Sequence, residues 1–202
     1  LIPDWLRPPA DVEAEVLGPG WQFDLPCARE FREIPDRVWE EADAVLLWHD
    51  MQLPAEAIDK LSRCRVIVRC GVGYDNVDVP AAAARQITVC NVPDYGTNDV
   101  ADHAMALYLA LARGILAFDE GVRRARPLRW DWLAGGELTR LTRRVFGIIG
   151  LGRIGTATAL RAKAFGLRVV FCDPYVPDGQ DKALGLERLT LEELLSCADA
   201  IS

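Results

Sequence analysis

The stretch Val145–Asp173, VFGIIGLGRIGTATALRAKAFGLRVVFCD, constrains the fold more than any other part of the chain. A short apolar run, Val145 to Ile149, leads into Gly150-Leu151-Gly152-Arg153-Ile154-Gly155. Ala157, Leu160, Ala164 and Leu167 then recur on or near one helix face, and a second apolar run, Arg168 to Cys172, ends on Asp173. Strand, glycine turn, helix and a second strand with an acidic end is the order that a dinucleotide site requires. Gly150 allows the tight turn, Gly152 lets backbone N–H groups reach a pyrophosphate, and Gly155 lets the helix lie close on its strand. The helix N-terminus turns unpaired N–H groups and the positive end of its dipole toward that anion. Asp173 lies eighteen residues past Gly155. There its carboxylate is expected to accept hydrogen bonds from an adenosine ribose and to repel a 2′-phosphate, which favours NAD(H) over NADP(H).

The 202 residues are half hydrophobic, enough for a sizeable core and for one or two domains. A net charge of −7 argues against a general nucleic-acid binder. Residues 1–100 carry 9 basic and 18 acidic side chains and residues 101–202 carry 14 and 12, so the excess acid lies outside the nucleotide half. Cys27, Cys64, Cys70, Cys90, Cys172 and Cys197 are scattered, with no C-x-x-C pair. This usage reads as reduced thiols in a cytoplasmic protein, and no metal ligand set is assigned. No apolar stretch approaches the roughly 18 residues of a membrane span. The chain opens on Leu1 and stops at Ser202 inside an apolar run, and both ends read as cut.

Residues 1–20 are rich in Pro, Gly and acid and read as a loose entry with one short strand. Strands are expected at 44–48, 66–68 and 87–90, alternating with helices at 34–43, 53–61 and 79–85. This alternation implies a parallel sheet with helices on both faces. A long helix is expected over 97–118, capped by Thr97 or Asn98, apolar nearly all round and therefore buried between domains or subunits. Arg123–Arg144 is a basic stretch with Trp130 and Trp132, read as a solvated face or dimer surface because acids are interspersed. A helix at 191–197 and a third strand of the nucleotide sheet from Asp199 close the chain. The expected organisation is α/β throughout: a flavodoxin-like substrate domain over 1–96, lacking its C-terminal return, and an incomplete Rossmann-type, parallel-sheet domain over 97–202.

Four motifs now stand in order: Arg69-Cys-Gly-Val-Gly-Tyr-Asp-Asn-Val-Asp78, Val89-Cys-Asn-Val-Pro93, Val100-Ala-Asp-His-Ala104 and Gly147-Ile-Ile-Gly-Leu-Gly-Arg-Ile-Gly155. Together they resemble the D-isomer-specific 2-hydroxyacid dehydrogenases. Arg161-Ala-Lys-Ala-Phe-Gly166, Asp173-Pro-Tyr175 and Val66-Ile-Val-Arg69 are similar to the C-terminal-binding-protein branch of that family. The resemblance implies two domains with an NAD cleft between them, a homodimer formed through the nucleotide domain, and reversible hydride transfer between NADH and a 2-oxo acid. By position it assigns Gly71, Val72 and Gly73 to the substrate carboxylate, with Val72 also near the nicotinamide. It assigns Arg69 and His49 to the substrate side and Val100 to the nicotinamide end. Gly150, Leu151, Gly152, Arg153, Ile154 and Gly155 fall to the pyrophosphate, and Asp173 to the ribose.

Structural readings compete with several of these. Gly71 and Gly73 also read as turn glycines needing positive φ, Arg69 as an ion-pair partner, His49 as a strand-end histidine and Val100 as core. His103 reads as a helix-packing residue. The family's catalytic arginine, glutamate and histidine follow the third strand of the nucleotide domain, where this chain stops. No catalytic residue is therefore assigned, and residues 1–202 are expected to be a fragment unable to turn over alone. An NAD(H)-sensing, corepressor-like binding protein of the same fold is the alternative function.

Overall fold

The computed structural model describes residues 1–4, 6–124 and 138–202. The chain forms two compact units, Leu1–Tyr95 and Gly96–Ser202. Residues 125–137 of the basic, tryptophan-containing stretch lie outside the described residues.

In the first unit the entry is not wholly loose: Asp11–Leu17 is a helix (α1). A 3-10 turn, Phe31–Glu33, precedes α2 (Asp36–Glu41), β1 (Ala44–Leu47), α3 (Ala55–Ile58), β2 (Val66–Arg69), α4 (Val79–Ala84) and β3 (Thr88–Asn91). The three strands are parallel in chain order, with Leu47 opposite Arg69 and Arg69 opposite Asn91. Backbone bonds carry the order beyond β1. Leu46 N–H donates to the Leu1 carbonyl at 2.9 Å, Ile2 N–H to that of Asp24 at 3.0 Å, and Ala28 N–H to that of Pro3 at 2.9 Å. The sequence 24–28, 1–4, β1, β2, β3 is the 2-1-3-4-5 order of flavodoxin-type doubly wound sheets. Its core is Trp39, Leu47, Met51, Leu53, Ile58, Leu61 and Ile67, all buried, with the Trp39 indole N–H satisfied by the Phe31 carbonyl at 3.2 Å.

The second unit begins with two helices where one was expected. α5 (Thr97–Ala112) and α6 (Ile115–Arg124) are bent by 57°, with Gly114 at φ +60° between them. The left-handed glycine ends the helix although the apolar pattern runs on. The N-cap is Gly96 rather than Thr97 or Asn98. Within the unit α5 buries only Ala101 and Met105, while His103, Leu107 and Leu111 are exposed. No single helix among the described residues is long and apolar enough to cross a membrane.

β4 (Val145–Ile149), α7 (Arg153–Ala164), β5 (Arg168–Cys172), α8 (Gln180–Leu184), β6 (Glu187–Arg188), α9 (Leu191–Cys197) and β7 (Ala200–Ile201) follow. All four strands are parallel in the order β6-β5-β4-β7. The strand reaching Ser202 is therefore the fourth of this sheet, not the third. β6 is only two residues long, too short to show in the hydrophobic pattern. This 3-2-1-4 order is how Rossmann sheets begin, with the topological switch between β4 and β7.

Two glycines set the packing. A Cβ on Gly147 would lie 2.8 Å from Leu194 Cδ2 of α9, and one on Gly155 would lie 2.0 Å from the carbonyl oxygen of Gly150. The first glycine seats α9 on β4, and the second seats α7 against the turn it leaves. Gly152 differs, because a Cβ there meets nothing within 4 Å and its φ is −76°. Gly155→Ala should therefore destabilise the unit by about 1–3 kcal/mol through overpacking against backbone. Gly152→Ala should leave the urea unfolding midpoint essentially unchanged. Equal midpoint shifts for the two variants would contradict this assignment.

Candidate functional site: the carboxyl ends of two parallel sheets

Loops leaving the carboxyl ends of parallel strands are where open α/β sheets hold ligands. In the second unit the loop after β4 lies between two such neighbours. Gly150 N–H donates to the Cys172 carbonyl of β5 at 2.9 Å, and Ile149 N–H to the Ser202 carbonyl at 2.8 Å. Gly150 takes φ +91°, which turns the chain from strand into helix. The first helical bond of α7 is Thr156 N–H to the Gly152 carbonyl at 2.9 Å, so the amides of Arg153, Ile154 and Gly155 precede the ladder. Arg153 and Ile154 are exposed at this helix start, and the space beyond the Gly152 Cα is open.

Leu151 plays a different part from its neighbours. Its side chain is buried in the core, and its N–H donates to Asp173 Oδ2 at 2.8 Å. Tyr175 N–H donates to Asp173 Oδ1 at 2.8 Å. These backbone bonds, Tyr175 first and Leu151 next, with a smaller contribution from the Val176 amide, hold the Asp173 carboxyl below its ordinary pKa of 3.8. The resulting surface has a fixed carboxylate at the end of β5 and an amide-lined helix start at the end of β4. It fits the two ends of an adenosine diphosphate: hydroxyls on the carboxylate, phosphates on the amides. Val100, on the first turn of α5, is exposed rather than core. That turn is held by Arg161 of α7, whose Nε donates to Asp102 Oδ1 at 2.5 Å and whose Nη2 donates to Asn98 Oδ1 at 3.2 Å.

The first unit gathers its candidates in the same way. Register sets His49 and Gly71 each two residues past the last β1–β2 pair, Leu47 with Arg69. Neither Gly71 nor Gly73 has positive φ, so the turn-conformation reading does not hold for them. Gly71 is instead covered by the Arg69 side chain: a Cβ there would lie 1.5 Å from Arg69 Nη1. Arg69 has no ion-pair partner among the described residues, and its Nε is buried without a hydrogen-bond partner. Val92 N–H donates to the Gly71 carbonyl at 3.0 Å and Asn91 Nδ2 to the Val72 carbonyl at 2.7 Å, which pins this loop to the end of β3. Val72 and Gly73 are exposed. His49 is exposed as well, its Nε2 lying 3.4 Å from Asp50 Oδ1.

Two residues missed by the sequence reading hold the loop that carries His49. Asp4 is fully buried and accepts the N–H groups of Trp48, Asp50 and Met51. Asn76, also buried, donates through Nδ2 to the carbonyls of Trp48 at 3.0 Å and Met51 at 2.9 Å. The one available signal was Asp4 closing the apolar Leu1-Ile2-Pro3 run, as Asp173 closes β5.

The sequence profile of the D-isomer specific 2-hydroxyacid dehydrogenase, catalytic domain, matches residues 13–199. The chain belongs to this family. C-terminal-binding protein 1 of Caenorhabditis elegans is 39% identical over 179 residues, covering 87% of the chain and 25% of that protein. D-3-phosphoglycerate dehydrogenase of Mycobacterium bovis is 41% identical over 162 residues, covering 80% of the chain and 30% of that enzyme. The crystal structure of D-lactate dehydrogenase from Aquifex aeolicus, complexed with NAD and lactic acid, superposes with a TM-score of 0.83 at 26% identity. That match covers 95% of the chain and 56% of the other. The chain thus spans about a quarter to a third of the curated relatives. Among D-2-hydroxyacid dehydrogenases the Rossmann-type fold and parallel sheets described above are shared.

The lowered pKa of Asp173 has a measurable consequence. Stability from its backbone amide bonds is present above the unfolded value of 3.8 and is lost as pH falls through the lower folded value. In urea unfolding, the advantage of the parent over Asp173→Asn should be constant near neutrality and shrink in acid below about pH 3.8. An advantage that grows with acid would contradict the bonding described.

Proposed function

We propose that the chain supplies the cofactor-anchoring and substrate-orienting parts of an NAD-dependent D-2-hydroxyacid dehydrogenase. The observation that carries this reading is the Asp173 carboxylate held beside an amide-lined Gly150–Gly155 turn that is open at Gly152. A bound nicotinamide would supply the hydride. The chain's own groups bind and orient: the α7 amides hold the pyrophosphate, and Asp173 accepts from the ribose hydroxyls. The same carboxylate disfavours a 2′-phosphate by charge. On the substrate side the Arg69 guanidinium and the backbone of Gly71, Val72 and Gly73 draw in the carboxylate of a 2-oxo acid, with His49 beside them.

Proton transfer to the forming alkoxide is not assigned to this chain. Its histidines are His49 and His103, and neither stands in the family's catalytic motif. The proposal therefore places the catalytic arginine, glutamate and histidine beyond Ser202 and treats 1–202 as inactive alone. The exposed Leu107, Leu111, Ile115 and Leu116 of α5 and α6 support a homodimer through the nucleotide unit. A cytoplasmic location agrees with six free cysteines. The 39% identity to a C-terminal-binding protein favours one second reading, an NAD(H)-sensing binding protein of the same fold.

Steady-state assays separate these. Purified 1–202 should not oxidise NADH with glyoxylate or pyruvate, whereas the whole gene product should do so with a 2-oxo acid. Turnover by 1–202 would overturn the division of labour. A whole product that binds NADH yet oxidises none with any 2-oxo acid offered would replace the enzyme with the sensor.

A further inference from the structure

The carboxylate of Asp4 is the least expected charge in the molecule. It is 0% exposed, at the carboxyl end of the extended segment 1–4 that runs beside β1. Its Oδ1 accepts Trp48 N–H at 2.9 Å, and its Oδ2 accepts Asp50 N–H at 3.2 Å and Met51 N–H at 3.1 Å. The donors bracket His49, whose own N–H is the one in 48–51 not given to Asp4 among the bonds described. From the other side the Asn76 amide takes the carbonyls of Trp48 and Met51. The chain then goes straight into the core, with Met51 and Leu53 fully buried.

Stability alone does not call for this arrangement. A buried carboxylate carries a desolvation cost that an apolar residue of similar size avoids. What the carboxylate and amide do achieve is a fixed backbone on both sides of an exposed histidine, two residues past the Leu47–Arg69 pair. Such preorganisation matters where a side chain must meet a ligand in one geometry.

We propose that Asp4 is a positioning residue that acts through His49, holding the 48–51 loop so that the imidazole meets the 2-oxo acid. This rests on the substrate-side reading of His49 given above. The test is a double-mutant cycle in the whole gene product with Asp4→Asn, His49→Gln and the pair, measuring KM for the 2-oxo acid and for NADH. Each single variant should raise the 2-oxo acid KM about tenfold and leave the NADH KM unchanged, and the pair should be no worse than His49→Gln alone. Multiplying effects would overturn the proposal, as would an unchanged KM in Asp4→Asn while His49→Gln raises it. Either result leaves the substrate-side reading of His49 standing. A His49→Gln variant with unchanged KM would overturn that reading and this proposal together. If Asp4→Asn does not fold, Asn76→Ser, which releases the same loop from its other side, enters the cycle with the same expected and contrary results.

Discussion

The hydrogen bond between Leu151 N–H and Asp173, 2.8 Å long, joins the two strand ends on which the second unit depends. It fixes the acidic end of β5 against the glycine turn that leaves β4. The turn itself needs Gly150 at positive φ, and the helix that follows needs Gly155, because a Cβ there would meet the Gly150 carbonyl at 2.0 Å. Sheet order, turn conformation and carboxylate are thus one device. Shifting any of them moves the amide-lined helix start away from the carboxylate, and a dinucleotide needs both at once.

The first unit solves the same problem with other groups. Its strands also end in loops at one edge, yet no glycine fingerprint organises them. Polar side chains pin the loop backbones instead: Asp4 and Asn76 for the segment with His49, and Asn91 for the Val72 carbonyl. Gly71 leaves room for the Arg69 guanidinium rather than for an unusual φ. The loop that carries His49 and the loop that follows Arg69 are thus held at the carboxyl ends of β1 and β2 by side-chain bonds to their backbones.

What was legible in the sequence follows from this contrast. The fingerprint at Gly150–Gly155 was readable because its requirements, positive φ and sub-contact approach, admit a single residue type. The buried strands were readable because parallel strands are continuous apolar runs. Asp4 was not, since its partners are backbone amides 44 to 47 residues away, which leave no mark on residue identity. The break at Gly114 was hidden because apolar residues continue on both sides of it. β6 escaped because two residues cannot show a period. Leu151 differs from its neighbours in the fingerprint, since its amide serves Asp173 and its side chain serves the core.

The central claim is that the Gly150–Asp173 unit is a dinucleotide anchor. Amide chemical-shift mapping of the 202-residue chain titrated with NADH tests it most directly. The account predicts saturable shifts centred on Gly150 to Gly155, Asp173 and Tyr175, and none of comparable size on α8 or on α1. Saturating NADH without shifts in the glycine turn, or with the largest shifts elsewhere, would contradict it.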